Sequence, residues 1–187
     1  MPKAGLVEEA AEAIQEELAT SHDIVIATDG SAKNGVAAHS IVVNKRDRVF
    51  AGGNDSEDQS SFRAELCALK LALEAVRVAS CNGATGSVTI AVDCEAALKA
   101  RFNCPSMPLF GMRLSSLAAE IRSNGVELIF IWVPAHNRHT SWRSPLSAVT
   151  ADRLRALNDA ADCSAKECVH RRHGKLLLSA LLAGRLK

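Results

Sequence analysis

Asp23–Ser31 (DIVIATDGS) is the stretch on which the reading of this chain turns. Its first six residues, Asp23–Thr28, form a β-branched run that predicts a short strand. Asp29, Gly30 and Ser31 then predict a turn, so that Asp29 stands at the carboxyl end of that strand. A carboxylate placed there can hold a hard cation, which prefers oxygen ligands. Three other stretches put acids in comparable places. Arg63-Ala64-Glu65-Leu66 opens a long helical pattern, Val92-Asp93 closes a second apolar run, and Asn158-Asp159-Ala160-Ala161-Asp162 lies in a late helix.

The elements around these acids fall in a definite order. Leu6, Ala10, Ile14 and Leu18 recur every four residues with Glu between them, which predicts an amphipathic leader helix. Val36–Val43 and Arg48–Gly53 read as strands joined by a turn at Asn44–Asp47. Ser61 is the expected N-cap of a helix running to about Ser80. Leu69, Ala72 and Val76 follow Glu65 on one stripe, so Glu65 looks inward toward the sheet. Ser87–Val92 is the next strand, followed by helices over Cys94–Phe102 and Leu109–Asn124. Glu127–Val133 is the last strand, and from about Leu146 the chain reads as helix, with Gly174 and Gly184 as breaks. Three strands in a meander, then strands reached by helical crossovers, give an α/β fold. The expectation is a five-stranded mixed sheet, with a three-strand antiparallel meander plus two parallel strands and helices on both faces. In such sheets ligands sit beyond the carboxyl ends of the strands, where Asp29 and Asp93 lie.

Composition bounds the function. At 187 residues the chain suits one domain with extra segments: a leader helix over 1–22, a domain over 23–169 and a basic helical tail over 170–187. Hydrophobic residues at 48% and charged residues at 23% are ordinary for a globular protein. With no Tyr and 4% aromatic residues, broad aromatic platforms for stacked bases are scarce. Residues 1–23 carry one Lys against five Glu and one Asp, whereas residues 166–187 carry six Lys or Arg against one Glu. The basic end suits phosphate contacts, with Lys166, Arg171, Arg172 and Lys175 as candidates, and the acidic end does not. Cys67, Cys81, Cys94, Cys104, Cys163 and Cys168 show no CxxC pair and no zinc spacing, so they are expected to be reduced and mostly buried. That usage, with no signal-type or membrane-spanning segment, predicts a nuclear or cytoplasmic address, no secretion and no membrane.

Clustered carboxylates repel unless a cation joins them. Two magnesium ions about 4 Å apart would resolve this, and such a pair hydrolyses phosphodiesters without a covalent nucleophile. The chain contains no P-loop, no G-x-S-x-G elbow and no HExxH motif.

Asp29 in TDGS, Glu65 in RAEL, Asp93 in VD, His136 in WVPAH and Asp162 in NDAADCSA, taken in this order, resemble the ribonuclease H type 1 family. The resemblance covers about residues 23–169. The WVPAH strand end and the RAEL helix start look closest to ribonuclease H domains of non-LTR retrotransposons. It implies an endonuclease that hydrolyses the RNA strand of RNA–DNA hybrids and leaves 5′-phosphate ends. It also implies two Mg2+ ions, with Mn2+ as a substitute, and a place in a larger reverse-transcriptase polyprotein. Asp29 would bridge both ions, Glu65 and Asp93 would complete one site, and Asp162 the other. Asp159 is a rival for that fourth place, but Asp162 keeps Asn158 and Ala165 in register. His136 would assist proton transfer or product release. Ser31, Asn34, Gln59, Ser60, Ser61, Arg63 and Arg138 are candidate substrate contacts. The segment Arg138–Asp152 is longer than compact members need, and is either a substrate loop bearing Arg138, His139, Trp142 and Arg143 or an unstructured insert. The alternative function is a catalytically inactive nucleic-acid-binding module of the same fold.

Overall fold

The computed structural model describes residues 4–100, 104–135 and 141–183. The elements run α1 (Ala4–Ser21), β1 (Asp23–Lys33), β2 (Val36–Val43), β3 (Arg48–Gly53) and α2 (Ser61–Cys81). They continue with β4 (Gly86–Val92), α3 (Glu95–Ala100), α4 (Pro108–Ser123), β5 (Val126–Trp132) and α5 (Ala151–Leu182). The five strands form one sheet in the order β3-β2-β1-β4-β5. The β3-β2-β1 half is antiparallel and the β1-β4-β5 half is parallel. This is the expected mixed sheet.

Strand residues alternate between two cores, as a period of two requires. Ile24, Ile26, Ile41, Val88, Ile90 and Val92 face α1, α2 and α4. Val25, Ala27, Val42, Ala91 and Ile131 face α5 through Leu154, Leu157 and Ala161. Helices therefore cover both faces. The leader helix belongs to the first core, with Ala10, Ala11, Ile14 and Leu18 packed there. Its Glu17, 1% exposed, accepts hydrogen bonds from the backbone N–H groups of Lys45 (2.9 Å) and Arg46 (3.2 Å) in the β2–β3 turn.

Several local expectations are corrected. β1 does not stop at Thr28. Its parallel pairing with β4 ends at Thr28–Val92, but pairing with β2 continues from Asp29–Ser40 to Lys33–Val36. The turn falls at Asn34 and Gly35, both at positive φ. Asp-Gly-Ser is a turn signal only where no neighbour offers ladder hydrogen bonds, and β2 offers them. The N-cap of α2 is Ser60, which accepts from the Arg63 N–H, and Ser61 is the first helical residue. The last helix begins at Ala151 behind the N-cap Thr150, and Gly174 does not interrupt it. Residues 141–150 are seated on the core rather than unstructured: Trp142, Leu146 and Val149 pack against the α5-side cluster. Among the cysteines only Cys104 and Cys168 are buried, while Cys81 and Cys163 are exposed. No helix among the described residues is long and apolar enough to cross a membrane.

Candidate active site

Asp29 lies on the α5 face of β1, one residue beyond the last pairing with β4. Asp93 immediately follows β4, and Glu65 stands in the first turns of α2. One carboxylate oxygen from each converges so that all three lie within 4.8 Å of one another. Two backbone features make this approach feasible. The parallel register of β1 and β4 brings Asp29 and Asp93 to the same end of the sheet. Gly30, on the opposite face from Asp29, lets α2 come close: a Cβ there would lie 2.1 Å from the Glu65 nitrogen and 2.3 Å from the Ala64 carbonyl carbon. No side chain fits in that space. The Gly30 N–H in turn donates to the Glu65 carboxylate.

The fourth acid comes from α5. Asp162 is half-buried on the face of α5 that packs toward β1, and its charge is felt by both Asp29 and Glu65. Its Oδ2 accepts from Lys166 Nζ at 2.6 Å. Asp159 is exposed. Asn158, one turn before Asp162, is 1% exposed and donates from Nδ2 to Asp93 Oδ2 at 3.1 Å. Trp132 Nε1 donates to the Asp93 carbonyl at 3.0 Å and is thus a packing and positioning residue.

The electrostatics are those of a site short of positive charge. Asp29 is 4% exposed, and its Oδ2 is buried with no hydrogen-bond partner. Glu65 Oε2 is likewise buried and unpartnered. Burial, then the charges of Asp93 and Asp162, push Asp29 up to about 8, with Lys166 opposing. Burial, then Asp29 and Asp93, push Glu65 up to about 10, against the Gly30 N–H. Acids held this close cannot all ionise unless a cation joins them. Hard oxygen donors in this number suit a divalent ion such as magnesium.

The other predicted contacts are scattered. Ser31 is half-buried in β1 and Asn34 is exposed in the β1–β2 turn. Gln59 is a structural latch. It accepts from the Ala37 N–H at 2.7 Å and donates to the Asn54 carbonyl at 3.0 Å. Arg63 is half-buried. Its guanidinium stacks 4.3 Å from the Phe110 ring centroid and reaches Met107 Sδ at 2.9 Å. Trp142 is half-buried, with the Arg155 guanidinium 5.6 Å from its ring centroid, so its ring is engaged in packing. His136, Arg138 and His139 lie outside the described residues. Of the basic candidates, Lys166 is taken by Asp162, and Arg172 is held by Asp55 and the Asn54 carbonyl, each at 3.1 Å. Arg171 and Lys175 are exposed. The sequence gives Gly30 only a place in an expected turn and Asn158 only a place in the helix register. The four-residue spacing of Asn158 and Asp162 was the available signal for the second, because it sets both on one helix face.

No family model matches the chain, and no curated protein matches its sequence. Solved structures do. LC11-RNase H1, isolated from compost by a metagenomic approach, aligns at a TM-score of 0.55 and 19% identity, over 81% of this chain and 98% of that one. LC11-RNase H1 in complex with an RNA/DNA hybrid aligns at 0.55 and 18% identity, over 80% and 98%. At such identities the likeness bears on architecture, and with the strand order and mixed pairing above it establishes that this chain has the ribonuclease H fold of the type 1 structures.

Proposed function

We propose that the chain is a divalent-cation-dependent endonuclease that hydrolyses the RNA strand of RNA–DNA hybrids. One observation carries this: three acids from separate elements meet within 4.8 Å, with buried, unpartnered oxygens on Asp29 and Glu65. Uncompensated buried carboxylates are costly, so a fold that assembles them is built for a cation. The likeness to a ribonuclease H1 seen with an RNA/DNA hybrid supports this substrate class.

Asp29, Glu65 and Asp93 would hold one magnesium ion, and Asp29 with Asp162 a second. When bound, the pair supplies an activated water and stabilises the leaving oxygen of the phosphodiester. The chain's own residues fix the donors. Asn158 orients the Asp93 carboxylate, the Gly30 N–H orients Glu65, and the Trp132 N–H anchors the Asp93 backbone. Ser31, two residues beyond Asp29 in β1, would meet a sugar hydroxyl, and Asn34, further out in the β1–β2 turn, would do so only for a more distant nucleotide. The 2′-hydroxyl is the group by which a protein tells an RNA strand from DNA. Arg171 and Lys175, exposed on α5 beyond Asp162, supply phosphate-seeking charge.

The test is cleavage of an end-labelled hybrid, with single-stranded RNA and duplex DNA as controls. Cutting of the hybrid's RNA strand with magnesium, but not with EDTA or in Asp93→Asn, is the expected result. Hybrid binding with no cutting under any condition would instead identify a non-catalytic binding module.

A further inference from the structure

The four acids are not equivalent. Asp29, Glu65 and Asp93 converge, and two of them present a buried oxygen without a partner. Asp162 is not part of that convergence, and its Oδ2 already holds a cation: Lys166 Nζ, 2.6 Å away. The acid precedes the base by four residues on α5, the favourable orientation for such a pair. The Asp162 side chain is 14% exposed, whereas that of Lys166 is 52% exposed. The ammonium therefore has water into which it can swing, while the carboxylate stays fixed at the site. The Lys166 charge also acts on Asp29, opposing the rise caused by burial and by Asp93 and Asp162.

We propose that Lys166 is a built-in counter-cation for Asp162, which must leave before that carboxylate can take a metal ion, so that the two metal positions fill unequally. This rests on the metal-dependent reading above. An ammonium and a divalent ion compete for the same oxygen. The Asp29–Glu65–Asp93 position has no such competitor on Asp29 Oδ2 or Glu65 Oε2 and fills first. The Asp162 position fills only after the ion pair opens. Lys166 thus weakens the second ion and sets the cation concentration at which the site is complete. It also neutralises Asp162 in the metal-free chain, where four clustered carboxylates would otherwise repel. Lys166 is in this sense a positioning residue for the acids and is not itself a catalytic group.

Calorimetric titration of the full chain with Mg2+, and separately with Mn2+, tests the idea without any turnover. The wild type is expected to take one ion more tightly and a second more weakly. Lys166→Gln should tighten the weak step by roughly two- to fivefold, the range of a partly exposed ion pair, and leave the tight step unchanged. Lys166→Arg should behave as wild type, and Asp162→Asn should remove the weak step. Lys45→Gln, in the β2–β3 turn, controls for loss of one positive charge and should change neither. Two ions bound with the same affinities in Lys166→Gln as in wild type would overturn the proposal while leaving the metal-dependent reading intact. An equal gain in Lys45→Gln would overturn it too, by reducing the effect to net charge. Absence of binding in the wild type and in every variant would remove the metal-dependent reading and this proposal with it.

Discussion

Asp29 is an acid in a place where an uncharged residue would be more comfortable, and that discomfort is measurable. Asp29→Asn keeps the shape but removes one buried charge and one ligand. Hybrid cleavage is expected to fall by about a hundredfold or more, equivalent to about 3 kcal/mol of lost transition-state stabilisation. Above about pH 8, where Asp29 ionises in the metal-free protein, the same variant should raise the melting temperature, because the cost of burying the charge and its repulsion with Asp93 and Asp162 are removed. A metal-free variant less stable than wild type in that range would contradict the electrostatic account. Gly30 makes the complementary case. Gly30→Ala would force α2 away from β1, since the new methyl would overlap the Glu65 backbone. We expect a loss of about 1–3 kcal/mol in urea unfolding, the usual range for overpacking, with weakened metal binding as Glu65 retreats. Wild-type stability and metal affinity in Gly30→Ala would show that the helix start can move freely.

At the level of elements, α1 and α5 extend the sheet's layers in opposite ways. α1 is bound in: its apolar stripe lies in the larger core and Glu17 closes the β2–β3 turn. Glu17→Ala would leave two turn N–H groups without their acceptor, at about 1–3 kcal/mol. For a chain of this size each kcal/mol lowers Tm by about 2–4 °C, so thermal unfolding reads the effect directly. An unchanged Tm would mean that water serves the turn equally well. α5 instead outruns its packing. Leu154 to Val169 bury one face, but Leu176, Leu177, Leu178, Leu181 and Leu182 are all exposed beyond it. Between these parts stand the exposed Arg171 and Lys175. Replacing both by Ala should weaken hybrid binding and reduce the slope of log affinity against log salt by about one unit per lost phosphate contact. An unchanged slope would assign the basic end of α5 some role other than phosphate contact.

For the whole molecule, the acidic cluster links stability to pH and to metal. Asp29 and Glu65 titrate near 8 and 10 in the folded chain, against ordinary values of about 4 when unfolded. Between those limits the folded state holds more protons than the unfolded state. The stabilisation is therefore full below about pH 4 and is lost as pH rises, through about 8 for Asp29 and about 10 for Glu65. Melting of the metal-free protein between pH 5 and 9 should show a falling Tm, and saturating magnesium should reduce the fall by taking the protons' place. A Tm flat with pH in EDTA would count against the buried cluster. Much of this molecule is legible in residue order alone. The β-branched runs fix the strands, and four-residue spacing fixes α1, α2 and the face of α5 that bears Asn158 and Asp162. Helical crossovers force β4 and β5 parallel, because a strand reached that way returns in the same direction. Those are local periodicities, and local chemistry sets them. The extent of β1 was not legible, because Asp-Gly-Ser signals a turn until β2 supplies its hydrogen bonds. Nor were the latch made by Gln59 or the stacking of Arg63 on Phe110. Each depends on which group stands opposite in space. Sequence therefore determined the elements and named the acids, and tertiary structure decided which of them meet and which already hold a partner. Spacing along a chain fixes the face on which a side chain lies, whereas distance, burial and counter-charge exist only once the faces are packed.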